Sequence, residues 1–117
     1  MTFETGVTEI PEYLFAYCTG IEEIVIPDTV TKIEAYAFAR AENLRTVIIS
    51  DTVTSISKYA FSECTNLSKL KLSKNLETIA QCAFEKCTSL TAVEIPKSLT
   101  SAGYKGVTTR AEGAFEY

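Results

Sequence analysis

At 117 residues, 46% hydrophobic and 22% charged, the chain is sized for one folded domain and carries too much apolar character to be intrinsically disordered. Its 11 Lys and Arg stand against 15 Asp and Glu, a net charge of -4 that lacks the basic footprint of nucleic-acid binding and disfavours anionic membrane surfaces. There is no His and no Trp, which removes Ser-His-Asp and Cys-His nucleophile activation together with the commonest zinc ligand. No catalytic residue, metal or cofactor is expected.

From the N-terminus, Met1 to Gly6 has neither a basic start nor an apolar run, so no signal peptide is expected in this chain. Apolar stretches such as Ile24-Val25-Ile26 are far too short to insert in a bilayer. A 23-residue period then governs the chain: Phe15, Phe38, Phe61 and Phe84 form one row. Further rows are Ile21/Leu44/Leu67/Leu90, Ile24/Val47/Leu70/Val93, Ile26/Ile49/Leu72/Ile95, Val7/Val30/Val53/Leu76/Leu99 and Ile10/Ile33/Ile56/Ile79. Six rows in one register are not chance.

Each unit opens with an L-x-x-L-x-L spacing, as in Leu67 to Leu72, whose last positions alternate with the period of a short strand. Pro27-Asp28-Thr29, Ser50-Asp51-Thr52 or Ser73-Lys74-Asn75 follows, with turn composition. A second apolar segment, Val30 to Ile33 and its equivalents, leads into Tyr36-Ala37-Phe38 or Tyr59-Ala60-Phe61, where small Ala beside large Phe predicts a tightly turned inner wall, extended or 3₁₀. One 23-residue unit cannot bury its own apolar rows. Stacking the units about 4.8 Å apart makes a continuous core. The predicted fold is a repeat solenoid with one short parallel strand per 23-residue coil and short turns or 3₁₀ pieces on the other side.

The unit AFSECTNLSKLKLSKNLETIA, with its A-F, C-T-x-L and L-x-x-L-x-L, together with the V-T-x-I that closes the two units before it at Val30 to Ile33 and Val53 to Ile56, resembles the BspA-like leucine-rich repeat over about residues 3 to 102. The resemblance implies a parallel solenoid found in surface proteins that act as adhesins or bind host proteins, with no catalytic motif to carry over. It makes a non-catalytic protein-binding or adhesion module at the cell surface, or secreted, the expected function. A structural spacer or stalk of a longer repeat protein, and an intracellular scaffold, are the alternatives.

The register runs through residues 1–103 as about four full repeats plus a partial first unit, then fails. Residues 104–117 read either as a divergent cap or as the start of a further repeat, since Val107 to Phe115 aligns with Val30 to Phe38. Uncapped ends would expose apolar rows and strand edges, so end-to-end self-association is expected.

If Ile24 and Ile26 point inward, alternation turns Glu23, Val25 and Pro27 outward. Their stacked equivalents are Thr46, Ile48 and Ser50, then Lys69, Lys71 and Ser73, then Ala92, Glu94 and Pro96. Of this grid Glu23, Val25, Thr46, Ile48, Lys69, Lys71, Ala92 and Glu94 are the candidate partner-binding residues, with Val25 beside Ile48 as an apolar spot rimmed by charge. The competing reading is ordinary strand chemistry, since β-branched residues and cross-strand charge pairs stabilise sheets anyway. The partner would be a protein or a glycan. A second row, Tyr13, Tyr36 and Tyr59, could hold a glycan or simply pack.

Cys18, Cys64 and Cys87 share a row with Ala41 and read as small buried hydrophobes. Cys64 and Cys87 come within disulfide reach on adjacent coils, although flat stacking disfavours the required dihedral. Cys82 falls in the tyrosine row, at or near the surface, and is the candidate reactive thiol. The Cys82/Cys87 spacing without His does not make a zinc site. Glu4, Glu9, Glu12, Glu22 and Glu23 read as a solvated acidic surface. Asn66, in a glycosylation sequon, is expected to bond the backbone of its own bend.

Overall fold

The computed structural model describes residues 6–90 together with Pro96 and Ser98. Among them are seven strands: β1 (Glu9–Ile10), β2 (Glu23–Val25), β3 (Lys32–Ile33), β4 (Thr46–Ile48), β5 (Ser55–Ile56), β6 (Lys69–Lys71) and β7 (Thr78–Ile79). All pairings are parallel and form two sheets, ordered β1-β3-β5-β7 and β2-β4-β6. The registers Ile10↔Ile33↔Ile56↔Ile79 and Ile24↔Val47↔Leu70 reproduce the sequence rows residue for residue. The chain is therefore a parallel β-solenoid, as the repeat predicts.

Each coil contributes two strands rather than one. The second, two residues long, lies in the segment after the turn, where a lone buried isoleucine follows an exposed or half-buried Glu, Lys, Ser or Thr. So short a strand leaves no alternation to read.

The Tyr-Ala-Phe wall is neither extended nor 3₁₀. Two non-glycine residues in each turn adopt the left-handed conformation, Tyr36 (φ 61°) and Arg40 (φ 59°), then Tyr59 and Glu63, then Cys82 and Lys86, with Tyr13 and Tyr17 in the first coil. Each left-handed residue interrupts the helical path, so hydrogen bonds alternate between the turn and the next coil. The amides of Ala39 and Ala41 bond back to the carbonyls of Tyr36 and Phe38 at 3.1 Å each. Those of Phe38 and Arg40 reach forward to Ala60 and Ser62 at 2.7 Å each. Satisfying every second amide on the neighbouring coil helps hold a conformation that costs about 1–2 kcal/mol per L-residue.

A single apolar cluster runs through the coils, with Phe38, Phe61 and Phe84 fully buried. Their rings stack on one another, and on half-buried Phe15, at centroid separations of 4.9–5.1 Å. That spacing is the coil spacing, so the sheet rise itself sets the aromatic contact.

Polar rows tie the coils from outside the core. The Asn66 amide donates to the carbonyl of Glu42 at 2.7 Å, and Asn43 donates to Thr19 at 2.8 Å. Ser89 repeats the bond onto Thr65 at 2.7 Å. Asn66 thus bonds the preceding coil and not its own bend. Ser73, expected to face outward with Pro27 and Ser50, is fully buried, its hydroxyl accepting from the Asn75 amide at 3.1 Å. The outward alternation stops at Val25, Ile48 and Lys71 because the chain turns inward after Ile26, Ile49 and Leu72.

Candidate functional site

Two surfaces collect the chemistry-bearing side chains. The first is the outer face of β2, β4 and β6. Backbone pairing aligns Glu23, Thr46 and Lys69 in one row and Val25, Ile48 and Lys71 in the next. Glu23, Lys69 and Lys71 are exposed, Thr46 and Ile48 half-buried, and Val25 is 61% exposed. The face is acidic at its β2 end and basic at β6. Beside it Arg45 approaches Glu22 at 4.0 Å with both side chains well exposed, a pair of little energetic weight. The predicted outer residues Ala92 and Glu94 lie outside the described residues.

The second surface is a groove of about 300 Å³ on the turn that follows β1, β3, β5 and β7. One wall is the tyrosine row. Tyr13 and Tyr36 stack with centroids 4.9 Å apart and an interplanar angle of 4°, and Tyr36 and Tyr59 at 5.1 Å and 7°. The opposite wall is the row four residues later, Tyr17, Arg40 and Glu63. Arg40 sits 5.7 Å from the Tyr17 ring centroid and reaches the Glu63 carboxylate with Nε at 3.2 Å and Nη2 at 3.4 Å. That hydrogen bond and charge, aided by the Tyr17 phenol, raise the Arg40 pKa further. Buried Ala39 and Ser62 lie between the walls, and the Ser62 hydroxyl contacts Glu85 Oε1 at 3.3 Å. Both walls consist of the left-handed residues, so the turn geometry that closes each coil also builds the groove.

Sequence reasoning found the tyrosine wall and missed its partner. Tyr17, Arg40, Glu63 and Lys86 share no residue type, so no repeat announces the row. Its only signal is a fixed offset from the tyrosines.

Cys82 corrects an expectation. It holds the tyrosine-row position, yet it is only 7% exposed, because the smaller side chain does not reach past the wall that tyrosine forms. Its thiol lies against Tyr59 and raises that phenol's pKa, chiefly by charge and then by hydrogen bonding, with Glu85 adding to the effect. None of the four cysteines forms a disulfide; Cys64 and Cys87 are fully buried and Cys18 half-buried. Among the described residues no three His, Cys, Asp or Glu side chains gather as a metal site would require. Nor is any helix there long and apolar enough to cross a membrane.

A family model for the BspA type leucine rich repeat region matches residues 1–108 in six copies, extending past the register break expected after residue 103. No curated protein matches. Among solved structures the chain is similar to a leucine rich repeat protein of T. pallidum, with 27% identity and a TM-score of 0.80 over 82% of this chain and 45% of that one. It is also similar to a leucine rich cell surface protein of Faecalibacterium prausnitzii A2-165, with 28% identity and a TM-score of 0.69 over 81% of this chain and 23% of that one. A leucine-rich repeat protein of Bacteroides capillosus ATCC 29799 shares 30% identity and a TM-score of 0.66, over 74% of this chain and 75% of that one. The chain spans less than half the length of the first two. With the 23-residue rows, the parallel registers and a family match over nearly the whole chain, this protein belongs to the BspA type leucine-rich repeat family.

Proposed function

We propose that the chain is a non-catalytic protein-binding module of a cell-surface leucine-rich repeat protein, contacting its partner through the outer face of β2, β4 and β6. The observation that carries this is the apolar pair Val25 and Ile48, placed side by side by the parallel register and bordered by Glu23, Lys69 and Lys71. An apolar centre with a charged rim is the anatomy of a contact patch. The described strand face is open to solvent across all three strands. Its charge gradient suits a polypeptide partner whose acidic side chains meet Lys69 and Lys71. The cell-surface placement rests on the similarity to the cell surface protein of Faecalibacterium prausnitzii.

The test is capture of host or cell-extract proteins on the immobilised chain, followed by titration of the captured protein. Ile48→Glu and Lys71→Glu should each abolish capture while circular dichroism and the unfolding midpoint show a folded solenoid. Undiminished capture by both folded variants sinks the reading.

A further inference from the structure

The groove beside the tyrosine stack lies on a different side of each coil from the strand face, and nothing in the proposed protein contact uses it. We infer that it binds a neutral, linear, β-1,4-linked oligosaccharide laid along the solenoid axis, one sugar unit per coil.

Size, lining, spacing and charge point to this ligand. The volume of about 300 Å³ is at the lower end for small-ligand clefts, and its lining runs across four successive coils, which suits a chain laid along the axis more than a single enclosed molecule. The lining is amphipathic throughout. Tyrosine edges and phenols repeat on one wall, and Tyr17, Arg40 and Glu63 stand on the other. The Glu63 and Glu85 carboxylates, already bonded to Arg40 and Ser62, each have acceptor sites to spare for sugar hydroxyls.

The rung spacing is the most selective feature. Tyr13, Tyr36 and Tyr59 repeat at 4.9 and 5.1 Å. An extended β-1,4-linked pyranose chain advances by about one such step per sugar with alternate units turned over, so its units stay in step with the coils and every second one presents the same edge. An extended peptide presents a same-face side chain only every ~7 Å and falls out of register within two coils. Charge narrows the class further. One guanidinium faces two carboxylates in the lining, which disfavours phosphorylated, sulfated or uronic-acid chains.

The walls are also set before any ligand arrives. The amides of Tyr17, Arg40 and Glu63 bond forward to Ala39, Ser62 and Glu85 at 2.8, 2.7 and 2.7 Å. The ligand therefore meets side chains mounted on a backbone already fixed, and binding need not order that backbone.

Isothermal titration with the cello-oligosaccharide series tests the inference on the full chain. Affinity should rise stepwise from cellobiose to cellotetraose and then level off, because the lining residues, from Tyr13 to Glu85, come from four successive coils. Tyr17→Ala and Arg40→Gln, both at exposed positions, should each weaken cellotetraose by about tenfold. Tyr36→Phe, which removes one hydroxyl and keeps the stack, should weaken it by a smaller factor. Ile48→Glu, on the strand face, should bind the sugar unchanged, which separates failure of this site from failure of the protein contact. No heat with cellotetraose at millimolar concentration overturns the inference. So does affinity independent of chain length, equal binding by folded Tyr17→Ala and Arg40→Gln variants, or equal affinity for an extended neutral peptide of similar length.

Discussion

The thiol of Cys64 donates to the backbone carbonyl of Phe38, 26 residues earlier, at 3.2 Å, with both residues fully buried. Cys87 repeats the bond onto Phe61 at the same distance. The cysteine row is therefore more than apolar filler, since each thiol adds a second hydrogen bond to a carbonyl in the coil before it. Cys64→Ala should lower stability by about 1–2 kcal/mol, combining a small cavity with a lost bond. Urea unfolding followed by far-UV circular dichroism measures this, and an unchanged midpoint would show the bond to be energetically idle.

Thiol labelling of the native protein should follow burial. Cys18 should react first, and Cys82, at 7% exposure, should lag behind it. Cys87 should resist labelling even in mildly alkaline buffer, because the adjacent Cys64 thiol, and then burial, push its pKa far up and withhold the thiolate. Mass spectrometry of timed aliquots gives the order. Cys82 reacting as fast as Cys18 would contradict the burial of the tyrosine-row cysteine.

Phe61 has a stacked ring on both sides, at 4.9 Å from Phe38 and 5.1 Å from Phe84. Phe61→Ala should cost about 3–5 kcal/mol, and Phe61→Leu distinctly less. Because coils are coupled only to their neighbours, the loss should broaden the unfolding transition as well as shift it. A sharp transition at the original midpoint would count against the stack as the solenoid's spine.

Lys86 is exposed and left-handed at φ 60°. Lys86→Gly should raise stability by about 1 kcal/mol through relief of the Cβ conflict. Lys86→Val should lower it, since a β-branched residue tolerates that region least. Chemical denaturation of the pair decides, and the order Val above Gly would show that the turn does not hold this conformation in solution.

Glu34 should make stability depend on pH. Partial burial first, then the charge of Glu9, raises its pKa above the ordinary 4.5. A carboxyl raised on folding favours the folded state below its unfolded pKa, and that contribution is lost as pH rises through the higher folded value. Glu34→Gln should therefore raise the urea midpoint at neutral pH and give little gain in acid below 4.5. A gain of equal size at both pH values would remove Glu34 as the source.

Much of the architecture was legible in the residues. The rows ending at Ile79, Phe84 and Leu90 appeared as equal spacings, and the structure stacks their described members in the same register. Glu23, Val25, Thr46, Ile48, Lys69 and Lys71 were placed together on alternation alone, and the parallel pairing brings them together. The prediction failed where side-chain environment depends on the path of the backbone between rows. Ser73 carries the same turn chemistry as half-buried Pro27 and Ser50, yet the chain bends it fully inward. Asn66 suits a local bend, but the carbonyl within its reach belongs to the coil before it. Cys82 inherits a surface row without the length to reach the surface.

The amino-acid sequence by itself determined the period, the apolar rows and the direction of stacking, because repetition makes each coil's best neighbour another coil of the same kind. Tertiary structure decided the second sheet, the alternating left-handed turns and the groove between Tyr36 and Arg40. These depend on hydrogen bonds between residues about one coil apart, such as the Arg40 amide to the Ser62 carbonyl. Such bonds leave no mark on residue type, since any L-amino acid supplies the same amide and carbonyl.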